Sequence, residues 1–103
     1  MIRFKREYWQ LFVEGKKSTT IRNHEIIGGA HSVFAGSRFK PEYLGKITLS
    51  LKKICKLGEL GDQDAKLDGF KSREELIGAL VMLNPGKLRI EDDVWVYRMK
   101  EAK

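Results

Sequence analysis

The sequence contains one cysteine, Cys55, so no internal disulfide can brace the fold. Its two histidines, His24 and His31, belong to no HxxxH or HExxH spacing, and there is no CxxC. No structural zinc site is expected from such a set, and the reading carries no metal and no cofactor. There is no GxSxG nucleophile turn. GKKST at 15–19 ends like a phosphate-binding loop, but Gln10 stands where the earlier glycine is required, and the preceding segment is patterned as helix. Repeats, low-complexity tracts and Pro/Ser-rich linkers are absent. No apolar run approaches the ~18–20 residues that cross a bilayer, so no membrane association is expected. The opening MIRFKREYWQ is basic and lacks an apolar signal core, which predicts a cytoplasmic protein.

What is present is charge, and it is lopsided. Twenty basic and 14 acidic residues in 103 give a net charge of +6. Basic residues dominate 3–22 and 38–56, while acidic ones cluster at 59–75 and 91–93. A folded chain of this kind has a positive side suited to anionic partners, nucleic acid above all. The plainer alternative is a soluble protein with a lysine-rich surface.

The length predicts one domain spanning 1–103. KREYWQLFVE at 5–14 sets Tyr8, Leu11 and Phe12 at helical spacing, with Gly15 as the stop. Residues 17–22 are β-prone, Gly28-Gly29 marks a loop, and SVFAGSRF at 32–39 reads as a short strand with a glycine bulge. In GKITLSLKKICKL at 45–57, Ile47, Leu49 and Leu51 alternate with polar residues until Ile54 falls on the even set. That slip predicts a bulge or a break near Lys52-Lys53. A helical turn is expected at 62–67. A helix follows at 72–83, with Ser72 and Glu75 as a capping box and Asn84-Pro85-Gly86 as its stop. DVWVYRM at 93–99 is the last strand. This order predicts an α+β fold, a small mixed β-barrel with flanking helices.

The chemistry concentrates in GKKSTTIR at 15–22. A lysine beside hydroxyls binds phosphate or a carbonyl oxygen as a point charge. When desolvated, it takes a proton from a hydroxyl or water. The alternative is a basic turn into a surface strand whose threonines suit β-structure. A magnesium site from Asp62, Asp64 and Asp68 is weighed against an exposed acidic loop. Lys46, Lys52, Lys53 and Lys56 form either a phosphate-binding stripe or a solvated strand face. Trp95 and Tyr97 are expected in the core, and Tyr8 and Phe70 are candidate cleft walls.

FVEGKKSTTIR resembles the opening motif of the ASCH domain family, whose fold is similar to that of PUA domains. The resemblance continues through DQDAKLDGFKSREEL, and then through NPG and the strand DVWVYRM. Where the family often has a "pGD" turn, this chain has AGSRF at 35–39, without the aspartate. The resemblance implies a PUA-like barrel with a cleft beside the GKK motif and a link to RNA metabolism. A bacterial branch of similar length removes the acetyl group of N4-acetylcytidine with a lysine, a threonine and a glutamate. These positions fall on Lys17, Thr20 and Glu75, with Glu74 as the neighbouring alternative. Lys17 would draw a proton from Thr20 or water, and Glu75 would hold the ammonium. Lys17 must then lie in the turn after Gly15, because strand alternation puts it opposite Ser18, Thr20 and Arg22. Lys16, Ser18 and Arg22 would bind ligand.

Three expectations follow. The first is a module that binds RNA or a modified nucleoside at GKKSTTIR. The second is an amidohydrolase acting through Lys17, Thr20 and Glu75. The third is a protein-interaction domain with no ligand of its own.

Overall fold

A computed structural model of the chain describes residues 1–102. The elements run β1 (Ile2–Arg3), α1 (Arg6–Val13), β2 (Thr19–Arg22), β3 (Gly29–Gly36), β4 (Pro41–Lys56), a 3-10 turn (Leu57–Glu59), α2 (Asp62–Leu67), α3 (Arg73–Leu83) and β5 (Asp93–Glu101). The result is a small α+β domain. One five-stranded sheet, ordered β1-β3-β4-β5-β2, curls into a half-barrel with three helices around it.

The phase slip in β4 is a bulge. The register with β5 shifts between Leu51 and Lys53, leaving Lys52 as the extra residue. Before it, Ile47 and Leu49 face a cluster with Val33, Tyr97 and Met99, against which Trp9 and Phe12 of α1 pack. After it, Cys55 pairs with Val94 and turns to the other cluster, built from Val94, Val96, Leu57, Leu60, Leu76 and Leu80. A side-chain period of two means that one added residue exchanges the faces. The bulge therefore lets a single strand supply both cores.

Both faces of β5 are covered: Val94 and Val96 lie under α2 and α3, while Trp95, Tyr97 and Met99 look toward β1 and α1. Tyr97 is 1% exposed, and its hydroxyl accepts from Ile26 N at 2.7 Å and donates to Ile26 O at 2.9 Å. These two bonds tie the β2–β3 connection to the sheet. The strand expected at 32–39 instead begins at Gly29. Gly36 ends it at the hairpin turn with φ +87°, rather than forming a bulge. The irregularity lies on β4, where Leu44 is the extra residue between partners of Val33 and Phe34. β1 is too short to read from periodicity and pairs in parallel with β3. Among the described residues, no helix is long and apolar enough to cross a membrane.

β1 and β2 are opposite edges of the sheet order, yet the Arg22 guanidinium lies 5.3 Å from the Phe4 ring centroid. Its Nη2 also donates to Arg3 O at 3.4 Å. The curl brings the two edges together, and the candidate site residues Lys17, Thr20 and Arg22 line a cavity where they meet.

Candidate functional site

The GKK turn is set by backbone bonds. Gly15 leaves α1 at φ +78°, a conformation that suits glycine. Lys16 N and Lys17 N both donate to Leu11 O, at 2.8 and 3.2 Å. Ser18 N then donates to Leu67 O at 2.7 Å, which ties the start of β2 to the end of α2. Lys17 thus lies in the turn, outside strand alternation, and its side chain points inward at 5% exposure.

Its carboxylate partner is Asp68. Lys17 Nζ donates to Asp68 Oδ1 at 2.8 Å and to Asp68 O at 3.2 Å. Thr19 Oγ1 donates to the same carboxylate oxygen at 3.1 Å. Asp68 ends α2, and Gly69 follows at φ +89°. A Cβ on Gly69 would meet Leu11 Cδ1 at 3.1 Å and Lys17 Cβ at 3.4 Å, so the close approach of the two turns suits glycine alone. Burial pushes the Lys17 ammonium below its ordinary range, against the pull of Asp68. Burial pushes the Asp68 carboxyl up, against the hydrogen bonds and charge of Lys17. Both shifts have the same cause, the cost of holding charge away from water.

Beside this pair opens a cavity of about 450 Å³. Lys17, Thr20, Arg22 and Asp68 give it a polar wall. Phe4, Tyr8 and Phe70 give it an aromatic one, with Tyr8 and Phe70 edge-to-face at 6.0 Å. The Tyr8 ring also lies 5.5 Å from Lys17 Nζ. Arg22 Nε is buried and has no hydrogen-bond partner among the described residues. Arg3, Lys5, Asn23 and His24 also border the space, so its charged lining is mostly cationic.

The residues expected from the sequence divide. Lys17, Thr20 and Arg22 line the cavity together, as do the candidate walls Tyr8 and Phe70. Lys16 is exposed, 3.4 Å from Glu14, and Ser18 is exposed with its hydroxyl on Leu67 O at 3.4 Å. Neither lines the cavity. Glu75 is also exposed and outside the cavity, as is Glu74. Glu75 N donates to Ser72 Oγ at 3.2 Å as part of the α3 cap. Asp68, weighed from the sequence only as a magnesium ligand, and Phe4, which the motif does not include, also line the cavity. The signal for Asp68 was an Asp-Gly pair closing a helical turn, with the aromatic Phe70 next in line.

The three aspartates weighed for magnesium each have another partner. Asp62 accepts from Arg73 N at 2.8 Å, Asp64 accepts from Gly61 N at 2.8 Å and pairs with Lys53 at 2.7 Å, and Asp68 holds Lys17. Among the described residues, no group of His, Cys, Asp and Glu is arranged to hold a metal ion. The lysine run on β4 is partly spent in pairing, since Lys53 meets Asp64 and Lys56 lies 3.7 Å from Asp93.

Neither a family model nor a curated protein matches the sequence. In three dimensions the chain is similar to the crystal structure of a protein from Enterococcus faecalis V583 described by the DUF984 family model. The TM-score is 0.68 at 10% identity, covering 98% of this chain and 75% of that one. At that identity the likeness speaks for the fold alone: a small α+β domain whose five-stranded sheet curls around one side of its core.

Proposed function

We propose that this is an ASCH-type domain with a PUA-like half-barrel, whose cavity takes the nucleoside part of an RNA or a free modified nucleoside. The observation that carries the reading is Arg22. Its Nε is buried without a partner among the described residues, on a cavity of about 450 Å³. An unpaired buried donor costs roughly 1–3 kcal/mol, a cost that a ligand oxygen accepting its proton removes. The volume lies within the ~300–1,000 Å³ typical of ligand pockets. Phe4, Tyr8 and Phe70 offer apolar surfaces for a base, and the cationic lining favours the phosphates of RNA.

The test is calorimetric titration with cytidine and N4-acetylcytidine, comparing the wild type with Arg22→Met. The expected result is saturable binding that weakens at least tenfold in the variant while its thermal unfolding stays at or above that of the wild type. Absence of binding by both nucleosides refutes the reading.

A second reading is the amidohydrolase, and the desolvation of Lys17 favours it. Burial makes the Lys17 ammonium give up its proton more readily than an exposed lysine does, and the free amine is a base. That amine would accept the Thr20 hydroxyl proton as Thr20 Oγ attacks the acetyl carbon. The C–N bond would then break as the amine leaves with a proton, and water would hydrolyse the acyl ester. Asp68, which touches Lys17, fits the orienting role better than Glu75, which does not. Incubation with N4-acetylcytidine, following cytidine release by chromatography, tests it. Release is expected from the wild type and Glu75→Gln, and none from Lys17→Ala or Asp68→Asn. If Glu75→Gln alone abolishes release, the orienting role returns to Glu75.

A further inference from the structure

The β3–β4 hairpin ends in Ser37-Arg38-Phe39-Lys40, a stretch the cavity does not use. Phe39 is 91% exposed, the most exposed large apolar side chain among the described residues. It sits between two cations, and neither Arg38 nor Lys40 takes part in an ion pair among the described residues. The turn beneath is firmly held. Lys40 N donates to Ser37 O at 3.2 Å and to Ser37 Oγ at 3.0 Å. Gly36 has φ +87°, and a Cβ there would lie 2.8 Å from Lys40 O. The tip is also tied to the cavity: Gly36 lines it, and Gly36 O accepts from Arg3 Nη1 at 3.2 Å. Three residues of chain reach at most about 10 Å, so Phe39 stands within a short step of the cavity wall.

An aromatic ring held in water between two unpaired cations is a poor core fragment and a suitable platform for a base with phosphates on either side. A protein partner would need acidic side chains on both sides of the ring to use the flanking cations, whereas every nucleotide of a single strand carries a phosphate that both attract. We propose that the hairpin tip stacks the nucleotide adjacent to the one in the cavity, with Phe39 under its base and Arg38 and Lys40 on its phosphates. The natural ligand is then a single-stranded RNA rather than a free nucleoside. This inference rests on the nucleoside reading of the cavity.

The test compares a fluorescein-labelled five-nucleotide cytidine RNA, followed by anisotropy, with cytidine followed by calorimetry. Wild type, Phe39→Ala and Phe39→Trp are measured at two salt concentrations, and each protein is also sized by sedimentation. The RNA is expected to bind tighter than the nucleoside. Phe39→Ala should reduce that advantage about 5- to 150-fold, the range for loss of one stacked base, and Phe39→Trp should restore it. Equal binding of RNA and nucleoside, or an RNA advantage that Phe39→Ala leaves intact, overturns the proposal while the cavity reading stands. A wild type that binds neither ligand refutes that reading and this inference with it. A wild-type dimer that Phe39→Ala dissolves assigns the tip to a second copy of the chain and overturns it too.

Discussion

Removing the Asp68 carboxylate by Asp68→Ala leaves Lys17 buried with its carboxylate gone. Both side chains of the pair are 5% exposed, so solvent screens little of the loss. Asp68 accepts from Lys17 Nζ and Thr19 Oγ1, and the variant keeps only the backbone contact at 3.2 Å. Breaking a buried pair typically costs about 3–5 kcal/mol, much of a domain's whole stability of roughly 5–15 kcal/mol. A second estimate sets a ceiling. Lys17 can shed its proton, and from the ordinary lysine value of 10.5 that costs about 5 kcal/mol at about pH 7, at roughly 1.4 kcal/mol per unit. For a domain of this size the expected fall in melting temperature is roughly 15–30 °C at neutral pH.

The sign of the pH dependence follows. In the variant no carboxylate offsets the desolvation of Lys17, so the folded chain holds that proton less firmly than the unfolded chain does, and stability rises with pH up to about 10.5. The deficit relative to wild type should therefore shrink with rising pH above about pH 7, by at most about 1.4 kcal/mol per unit. Lys17→Met should cost less than Asp68→Ala, and the double variant less than the two singles together, by about 2–3 kcal/mol of coupling. Urea unfolding of all four proteins at several pH values supplies these numbers. A cost below about 1 kcal/mol, or a deficit that stays flat with pH, would refute the buried ion pair as described.

Two further predictions concern the scaffold. Tyr97→Phe removes the hydroxyl that bonds Ile26 N and O, and should cost about 1–3 kcal/mol. Amide exchange should then accelerate at Ile26 while β5 stays protected. Gly45→Ala would put a Cβ 2.8 Å from Trp9 Cζ2, forcing α1 away from β4. Chemical denaturation should show a loss of about 1–3 kcal/mol, with tryptophan fluorescence shifting to the red in the native baseline.

Much of this molecule is legible along the chain, because the forces that make its elements are local. Tyr8, Leu11 and Phe12 define a helix face, and Gly15 ends the helix because it alone adopts φ +78° easily. Alternation in Ile47, Leu49 and Leu51, broken at Ile54, locates the bulge at Lys52 because side chains on a strand repeat every two residues. Lys17, Thr20 and Arg22 stand close together in one turn and one strand, so a local motif finds all three.

The tertiary structure alone decided the rest. Asp68 meets Lys17 across 51 positions, and the choice between it and Glu75 depends on which turn docks against GKK. Glu75 gives its backbone N–H to Ser72 in the α3 cap, and the residue is exposed outside the cavity. Phe4, just past β1, and Arg22 of β2 come from opposite edges of the sheet order and meet only because the sheet curls. Chain-local chemistry sets which residues turn, alternate and cap. Packing at long range sets which of them share a cavity, because desolvation and close contact act between neighbours in space, whatever their separation in sequence.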